Sequence, residues 1–271
     1  MLHYLWLLPV GLAIGAFGTL IGAGGGFLLV PLLVLVYPDE PREIITSISL
    51  AVVFFNALSG SVSYARMKRI DYRSSLIFAT ATIPGAVLGA LSTSWIPRHV
   101  FDMVLAVALL ALAIFLIRET PGKEGEPIVH PAGRTRRTIV EADGTRHEYS
   151  FNQGVGIALS VLVGYLSSLL GIGGGIIHVP VLAHLLNFPV HIATATSHLI
   201  LAIMAAAGTA VHIATGAFHH GVRRTIVLGI GVLLGAPIGA RFSSRIHGKW
   251  ILRGLSLALA LVALRLLMMA N

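Results

Sequence analysis

Ile21-Gly-Ala-Gly-Gly-Gly-Phe-Leu-Leu-Val-Pro31 returns, nearly residue for residue, as Leu170-Gly-Ile-Gly-Gly-Gly-Ile-Ile-His-Val-Pro180. Each stretch closes a long apolar run with a triple glycine and opens a shorter apolar run that carries a proline. A glycine costs about 1 kcal/mol relative to alanine inside a helix, so neither cluster continues one cheaply. Two more pairs keep nearly the same spacing. Thr46-Ser47 falls opposite Thr196-Ser197, and Gly85-Ala-Val-Leu-Gly-Ala90 falls opposite Gly235-Ala-Pro-Ile-Gly-Ala240. One such match could be chance among apolar segments; three in register mean duplication.

Composition sets the medium in which these halves sit. The 271 residues include no cysteine, 56% are hydrophobic and only 11% are charged, with a mean hydropathy of +0.87. A soluble domain carries roughly 25% charged residues, so this chain has too little polar surface to dissolve. A soluble enzyme, a coiled coil, a disordered chain and a disulfide scaffold are disfavoured alike. Long apolar runs lie near 2–21, 27–37, 44–65, 74–95, 100–117, 152–170, 174–187, 191–215, 225–243 and 250–268. Those at 27–37 and 174–187 are short of the ~20 residues that a spanning helix needs. The N-terminal run has no basic leader and does not read as a signal peptide.

The expected fold is an all-α polytopic membrane protein. It has two pseudo-symmetric halves of four to five transmembrane segments each, eight to ten in total, with broken or re-entrant glycine-rich segments. The first repeat covers 1–118, a cytoplasmic linker 119–150 and the second repeat 151–271. In the linker, Asp143-Gly144 between short β-prone runs predicts a small hairpin, read as a spacer between the halves. The basic loop Arg66–Arg73 and the 118–150 stretch should face the cytoplasm. If each glycine segment forms a re-entrant pair, every half crosses an odd number of times and the repeats are inverted, the common transporter arrangement. A single crossing would make them parallel; the glycine break favours the re-entrant pair.

The net charge is +8, and its distribution is lopsided. Six of the eleven acidic residues lie between Glu119 and Glu148, and none follows Phe151, where seven lysines or arginines and eight histidines remain. Cation pathways and proton relays usually rely on Asp or Glu, so cation transport is disfavoured. No soluble basic face exists for nucleic acid.

An anion is the better cargo. Irregular backbone at membrane depth survives only when packed in protein or lining a wet cavity. A helix start offers free N–H groups and a positive dipole end. Gly24, Gly25, Gly26, Gly173, Gly174 and Gly175 are therefore the first candidates for binding, against simple close helix packing. Thr46, Ser47, Thr196 and Ser197 could add neutral hydroxyl donors or merely bond back to their own helices. Asn56, Ser59, Ser61 and Ser63 form a polar stripe. Aligned on the repeat, His178 replaces Leu29, His198 replaces Ile48 and His212 falls near Val62. His198, next to Thr196-Ser197, is the chosen candidate for proton coupling, with structural histidine as the alternative. Metal binding is disfavoured because carboxylate support and close ligand pairing are missing. Arg241, where the first half has Leu91, is a candidate anion guide, unless it snorkels to headgroups.

The twin Gly-x-Gly-Gly-Gly-(apolar)-x-Val-Pro segments, one opening each half, resemble the TauE/SafE sulfite exporter family over nearly the whole chain. The resemblance implies a membrane permease for sulfite, a related sulfur oxyanion or an organosulfonate. The residues by themselves support only an anion; the reading adopted is a carrier that moves a small oxyanion by alternating access. A passive anion channel and an anion-binding sensor are the other readings. Neither catalysis, a cofactor nor a metal is expected. The expected partners are the anion, the lipid bilayer and at most a second copy of the chain.

Overall fold

The computed structural model describes residues 4–118 and 134–243, and of the segment beyond them residues 245–246, 250, 253–254, 256–257, 259–261 and 263–264. The linker as far as 133 and Arg265 lie outside the described residues. In order come α1 (Leu7–Ile21), α2 (Gly26–Val36), α3 (Arg42–Arg66), α4 (Tyr72–Ser92), α5 (Arg98–Arg118), β1 (Thr135–Val140) and β2 (Arg146–Phe151). They are followed by α6 (Gln153–Leu170), α7 (Gly175–Pro180), α8 (Val190–Ala214) and α9 (Val222–Ser243). One π-helical turn, Val181–Leu185, prolongs α7 beyond Pro180.

This is an all-α polytopic membrane protein. Helices α3, α4, α6, α8 and α9 are each long and apolar enough to cross a bilayer. Leu58, Leu76, Leu88, Leu162, Ile230 and Leu234 project outward. An apolar belt on that scale needs lipid rather than water around it. Trp95 and Trp250, at helix ends, are also exposed, as interfacial tryptophans are.

Contacts between loops define the two ends of the molecule. At one end the β-hairpin meets the α3–α4 loop, where the Ala142 amide donates to the Met67 carbonyl at 3.0 Å. Phe188, just before α8, packs on Tyr149 and Phe151 of β2 at the same end. At the other end Arg42 makes a double hydrogen bond to Asp102 at 2.9 and 2.8 Å. There too Arg224 pairs with Glu40 at 2.9 Å and lies over the Tyr37 ring.

From these ends the direction of every segment follows. Helix α3 leaves the Arg42 end and reaches the hairpin end; α4 returns and α9 rises from Arg224. Helix α1 packs parallel to α9: Gly11 and Gly15 face Leu228 and Val232, while Gly231, Gly235 and Gly239 face Leu8, Leu12 and Ala16. So α1 starts at the Arg42 end, and α2 goes back to that same end at Tyr37. In mirror fashion α6 packs parallel to α4, with Gly85 against Val161, Gly89 against Tyr165 and Gly164 against Thr82. It starts at the hairpin end, and α7 with its π-turn returns there at Phe188. The two glycine segments are therefore the tips of re-entrant hairpins entering from opposite ends, and the repeats are inverted.

The α1–α9 and α4–α6 seams are built from missing side chains. A Cβ at Gly85, Gly89, Gly235 or Gly239 would press into a carbonyl of the partner helix. Small residues permit this approach, which is how membrane helices associate without a hydrophobic driving force.

The strands β1 and β2 pair antiparallel, Thr135 opposite Phe151 and Val140 opposite Arg146, across a turn where Gly144 has φ 90°. The hairpin is docked, not a loose spacer. Phe78, Tyr149, Phe151 and Phe188 form one aromatic cluster. Tyr149 donates to Asp71 Oδ2 at 2.8 Å; burial, with the Asp71 carboxylate beside it, pushes the phenol pKa up. Asp71 also caps α4 through the Ser74 amide at 3.0 Å. Arg69 Nε pairs with Glu141 Oε2 at 2.5 Å, and His147 Nε2 meets Oε1 of that carboxylate at 2.9 Å. Truncating the cluster should release the hairpin. Phe151→Ala is expected to cost about 3 kcal/mol and to speed tryptic cleavage at Arg146 about a hundredfold where cleavage tracks the open population. An unchanged cleavage rate would mean that the aromatic cluster does not hold the hairpin.

Candidate functional site

The two glycine tips meet in the middle of the molecule. Gly22, Gly24 and Gly25 have φ of 88°, 74° and 82°, and Gly171 and Gly173 of 65° and 75°, values that favour glycine. A Cβ on Gly26 would run into the Ile172 carbonyl, and one on Gly175 into the Gly22 carbonyl. The loops thus touch backbone to backbone. Gly24 and Gly173 both face Val53 and Leu201, which sit halfway along α3 and α8.

Hydroxyls from the long helices fasten the tips. Ser49 Oγ donates to the Gly171 carbonyl at 2.6 Å, and Ser197 Oγ donates to the Gly22 carbonyl at 3.3 Å. Backbone bonds take up the amides of Gly22, Ala23 and Gly24 and resume at Leu28; in the second loop they take up Gly171 and resume at Ile177. The amides in between are those a helix start leaves over. They are those of Gly25, Gly26 and Phe27 in the first loop and of Ile172 to Ile176 in the second. The tips differ in one respect. Gly174 is right-handed at φ −61°, and a Cβ there would meet only the flexible Met204 Sδ at 2.9 Å and His178 Nδ1 at 3.1 Å.

The contacts correct the alignment of α3 with α8. Pro41 and Pro189 occupy the same cap position before two helices of 25 residues each. Thr46 therefore matches Thr194, Ser49 matches Ser197, Leu50 matches His198 and Tyr64 matches His212. The reciprocal bonds of Ser49 and Ser197 fix this register, and so do Gly171 against Thr46 and Gly22 against Thr194. The pairing of Thr46-Ser47 with Thr196-Ser197 is two residues off, and His198 does not replace Ile48. Identical dipeptides outweighed the cap prolines, which carry the true register.

The polar candidates consequently separate. Thr46 Oγ1 donates to the Arg42 and Glu43 carbonyls and Ser47 Oγ to the Ile44 carbonyl, all within their own helix. Thr196 Oγ1 accepts from the Asp71 amide at 3.1 Å, which ties α8 to the start of α4. Thr46 packs on Gly171, but of the four hydroxyls only that of Ser197 bonds to a glycine tip.

His198 belongs to a buried niche beside the first tip. Its Nδ1 lies 3.3 Å from the Thr194 carbonyl; because a carbonyl only accepts, Nδ1 carries the hydrogen and Nε2 the lone pair. That Nε2 has no hydrogen-bond partner among the described residues. Gly60 makes room for the ring, since a Cβ there would lie 2.9 Å from Nε2 and 3.1 Å from Thr19 Cγ2. Tyr64 meets the imidazole edge-on at 5.4 Å and donates to the Thr19 carbonyl at 2.7 Å. Thr19 Oγ1 donates to Asn56 Oδ1 at 3.1 Å, leaving Asn56 Nδ2 without a partner. An unused amide donor and an unused imidazole lone pair thus share one niche of uncharged residues. Neither Thr19 nor Tyr64 is marked by any motif; both are placed by contacts between helices far apart in sequence.

Arg241 stands elsewhere, in the last turn of α9 at the hairpin end. It lines a cleft of about 340 Å³ together with Ser63, Arg66, Arg69, Glu141 and Asp143. His178 is buried behind the second tip, with Nδ1 toward the Gly174 carbonyl and Nε2 toward Ser160 Oγ.

Comparison with known proteins agrees with this architecture. The chain is 29% identical to the probable membrane transporter protein YunE of Bacillus subtilis over 98% of both chains. It is 24% identical to a probable membrane transporter protein of Methanocaldococcus jannaschii, over 98% of this chain and 97% of that one. It is also 29% identical to the probable membrane transporter protein YdhB of Bacillus subtilis, over 90% of each. No solved structure matches. The Sulfite exporter TauE/SafE family matches residues 7–266, and with re-entrant glycine tips opening both halves, this chain belongs to that family as a multi-pass transporter of the cell membrane.

Proposed function

We propose that the protein is a secondary transporter that carries a small oxyanion, sulfite or a related sulfur oxyanion or organosulfonate, by alternating access. The observation that carries this reading is the meeting of two inverted re-entrant tips at mid-membrane, each presenting leftover backbone donors. Backbone amides hold an oxyanion without a fixed counter-charge that would trap it. In the second half no carboxylate competes for the site. Val53 and Leu201, packed against both tips, favour a carrier caught closed over an open channel. Inverted repeats give such a carrier its two faces, since each tip can be served from its own end.

The hairpin end is read as cytoplasmic. Among the described residues it holds Arg66, Lys68, Arg69, Arg73, Arg134, Arg136, Arg137, Arg146, Arg241 and Arg245, against Arg42, Arg98, Arg223 and Arg224 at the other end. That bias is the one that sets orientation.

Counterflow in proteoliposomes tests the reading. Liposomes preloaded with sulfite should take up labelled sulfite in a saturable manner, accelerated by the trans anion, with sulfate, thiosulfate, sulfoacetate and a simple carboxylate run in parallel. Flux that never saturates, or is steep in voltage, would make the protein a channel. Binding without flux would make it a sensor.

A further inference from the structure

We propose that the cleft between the hairpin turn and the ends of α3 and α9 is the capture site for the oxyanion on the hairpin face; this rests on the anion-transport reading above. Arg66 and Arg241 stand exposed on its rim, while Arg69 lines it at only 7% exposure. Arg69 Nε is spent on Glu141, but its Nη1 has no hydrogen-bond partner among the described residues. A buried guanidinium nitrogen with unused hydrogens wants an acceptor, and the planar fork suits an oxyanion.

The acids at the cleft are fewer than its guanidiniums. Glu141 is already shared between Arg69 and His147. Asp143 accepts from the Thr145 amide at 2.9 Å, which holds its carboxyl below the usual range. Three guanidiniums therefore face two carboxylates, one of which is occupied twice. The floor points inward. Ser63 lines the cleft, and one turn deeper Ser59 Oγ donates to the Leu233 carbonyl at 3.0 Å. Pro237 has no N–H for that carbonyl, so the hydroxyl replaces the missing donor. One turn further lie Asn56 and the His198 niche. The charge at the mouth thus lies on the same side of α3 as the hydroxyls of Ser63 and Ser59.

The test uses the full-length protein in nanodiscs of neutral phosphatidylcholine and reads amide hydrogen exchange over 63–69 and 141–147. Sulfite should slow exchange there relative to chloride at equal ionic strength. The Arg66→Gln/Arg241→Gln variant should raise the half-effective concentration about tenfold or more, the scale on which charge-assisted bonds act. Arg146→Gln, on the exposed strand where Arg146 pairs with Glu148, should leave it unchanged. No protection by sulfite, or equal protection in the double variant, overturns the capture site. Protection that appears with phosphatidylglycerol alone, and to which sulfite adds nothing, assigns the cleft to a lipid headgroup and also overturns it. Sulfite protection without counterflow in the wild-type protein would instead sink the transport reading and leave the anion site standing.

Discussion

Gly26→Ala and Gly175→Ala are each expected to reduce sulfite counterflow to below about a tenth, with the protein still inserted in the membrane. One methyl group suffices because the neighbour is backbone: the Ile172 carbonyl for Gly26 and the Gly22 carbonyl for Gly175. A carbonyl held in a loop cannot rotate away like a side chain, and overpacking of this kind costs about 1–3 kcal/mol. The overall hydropathy that drives insertion is unchanged. Gly174→Ala supplies the internal control. Its backbone is right-handed and its neighbour is a methionine, the most adaptable apolar side chain, so most activity should survive. Transport assays normalised to membrane-extracted protein decide the matter. If all three variants behaved alike, contact between the tips would not be what the mechanism depends on.

His198→Gln should separate exchange from coupling. The imidazole holds Thr194 through Nδ1 and presents Nε2 to the niche, and the groups facing it, Thr19, Gly60 and Tyr64, carry no charge. With no Asp or Glu after Phe151, a proton that accompanies the anion through this half rides on the substrate or on a histidine. Glutamine keeps a hydrogen-bonding group but cannot accept a proton. The variant should still exchange anion for anion at near wild-type rate, yet lose most of the pH dependence of net flux, because histidine is the one side chain in this half able to switch its charge. A wild-type pH profile in this variant would assign the proton to the substrate itself.

The sequence made some parts of this architecture legible and hid others for definite reasons. Glycine clusters in apolar runs speak for themselves, because only a broken helix tolerates them at that depth. From them the re-entrant pairs and the inversion could be read. Asp143-Gly144 announced its turn through the positive φ that the turn requires. Register along α3 and α8 was harder. Their apolar stretches repeat every few residues, and the Thr-Ser pairs offered a false match that Pro41 and Pro189 would have corrected. The niche of Thr19, Asn56, Tyr64 and His198 had no local signature at all. Asn56 and His198 stood out as polar residues in apolar runs, but Tyr64 and Thr19 join them only because α1 crosses α3. Nor did the hairpin's composition reveal its docking, since Tyr149 and Phe151 look like ordinary strand residues until Phe78 and Phe188 cover them.

The exchange of partners between halves has a consequence for biosynthesis. Helix α1 packs along α9, and α6 along α4, so each re-entrant hairpin rests on a helix that belongs to the other half. A ribosome adding about 5–20 residues per second would need on the order of 10 to 40 s to go from the end of α1 to the end of α9. For nearly all of that interval Gly11 and Gly15 have no helix to press against, and for about two-thirds of it the first tip lacks the Ile172 carbonyl that fits beneath Gly26. The nascent first half must therefore wait in the bilayer or its insertion machinery as an unpaired hairpin. Expressed alone, a fragment ending at 118 should be degraded, whereas the same fragment made together with a separately encoded 134–271 can recover its partner.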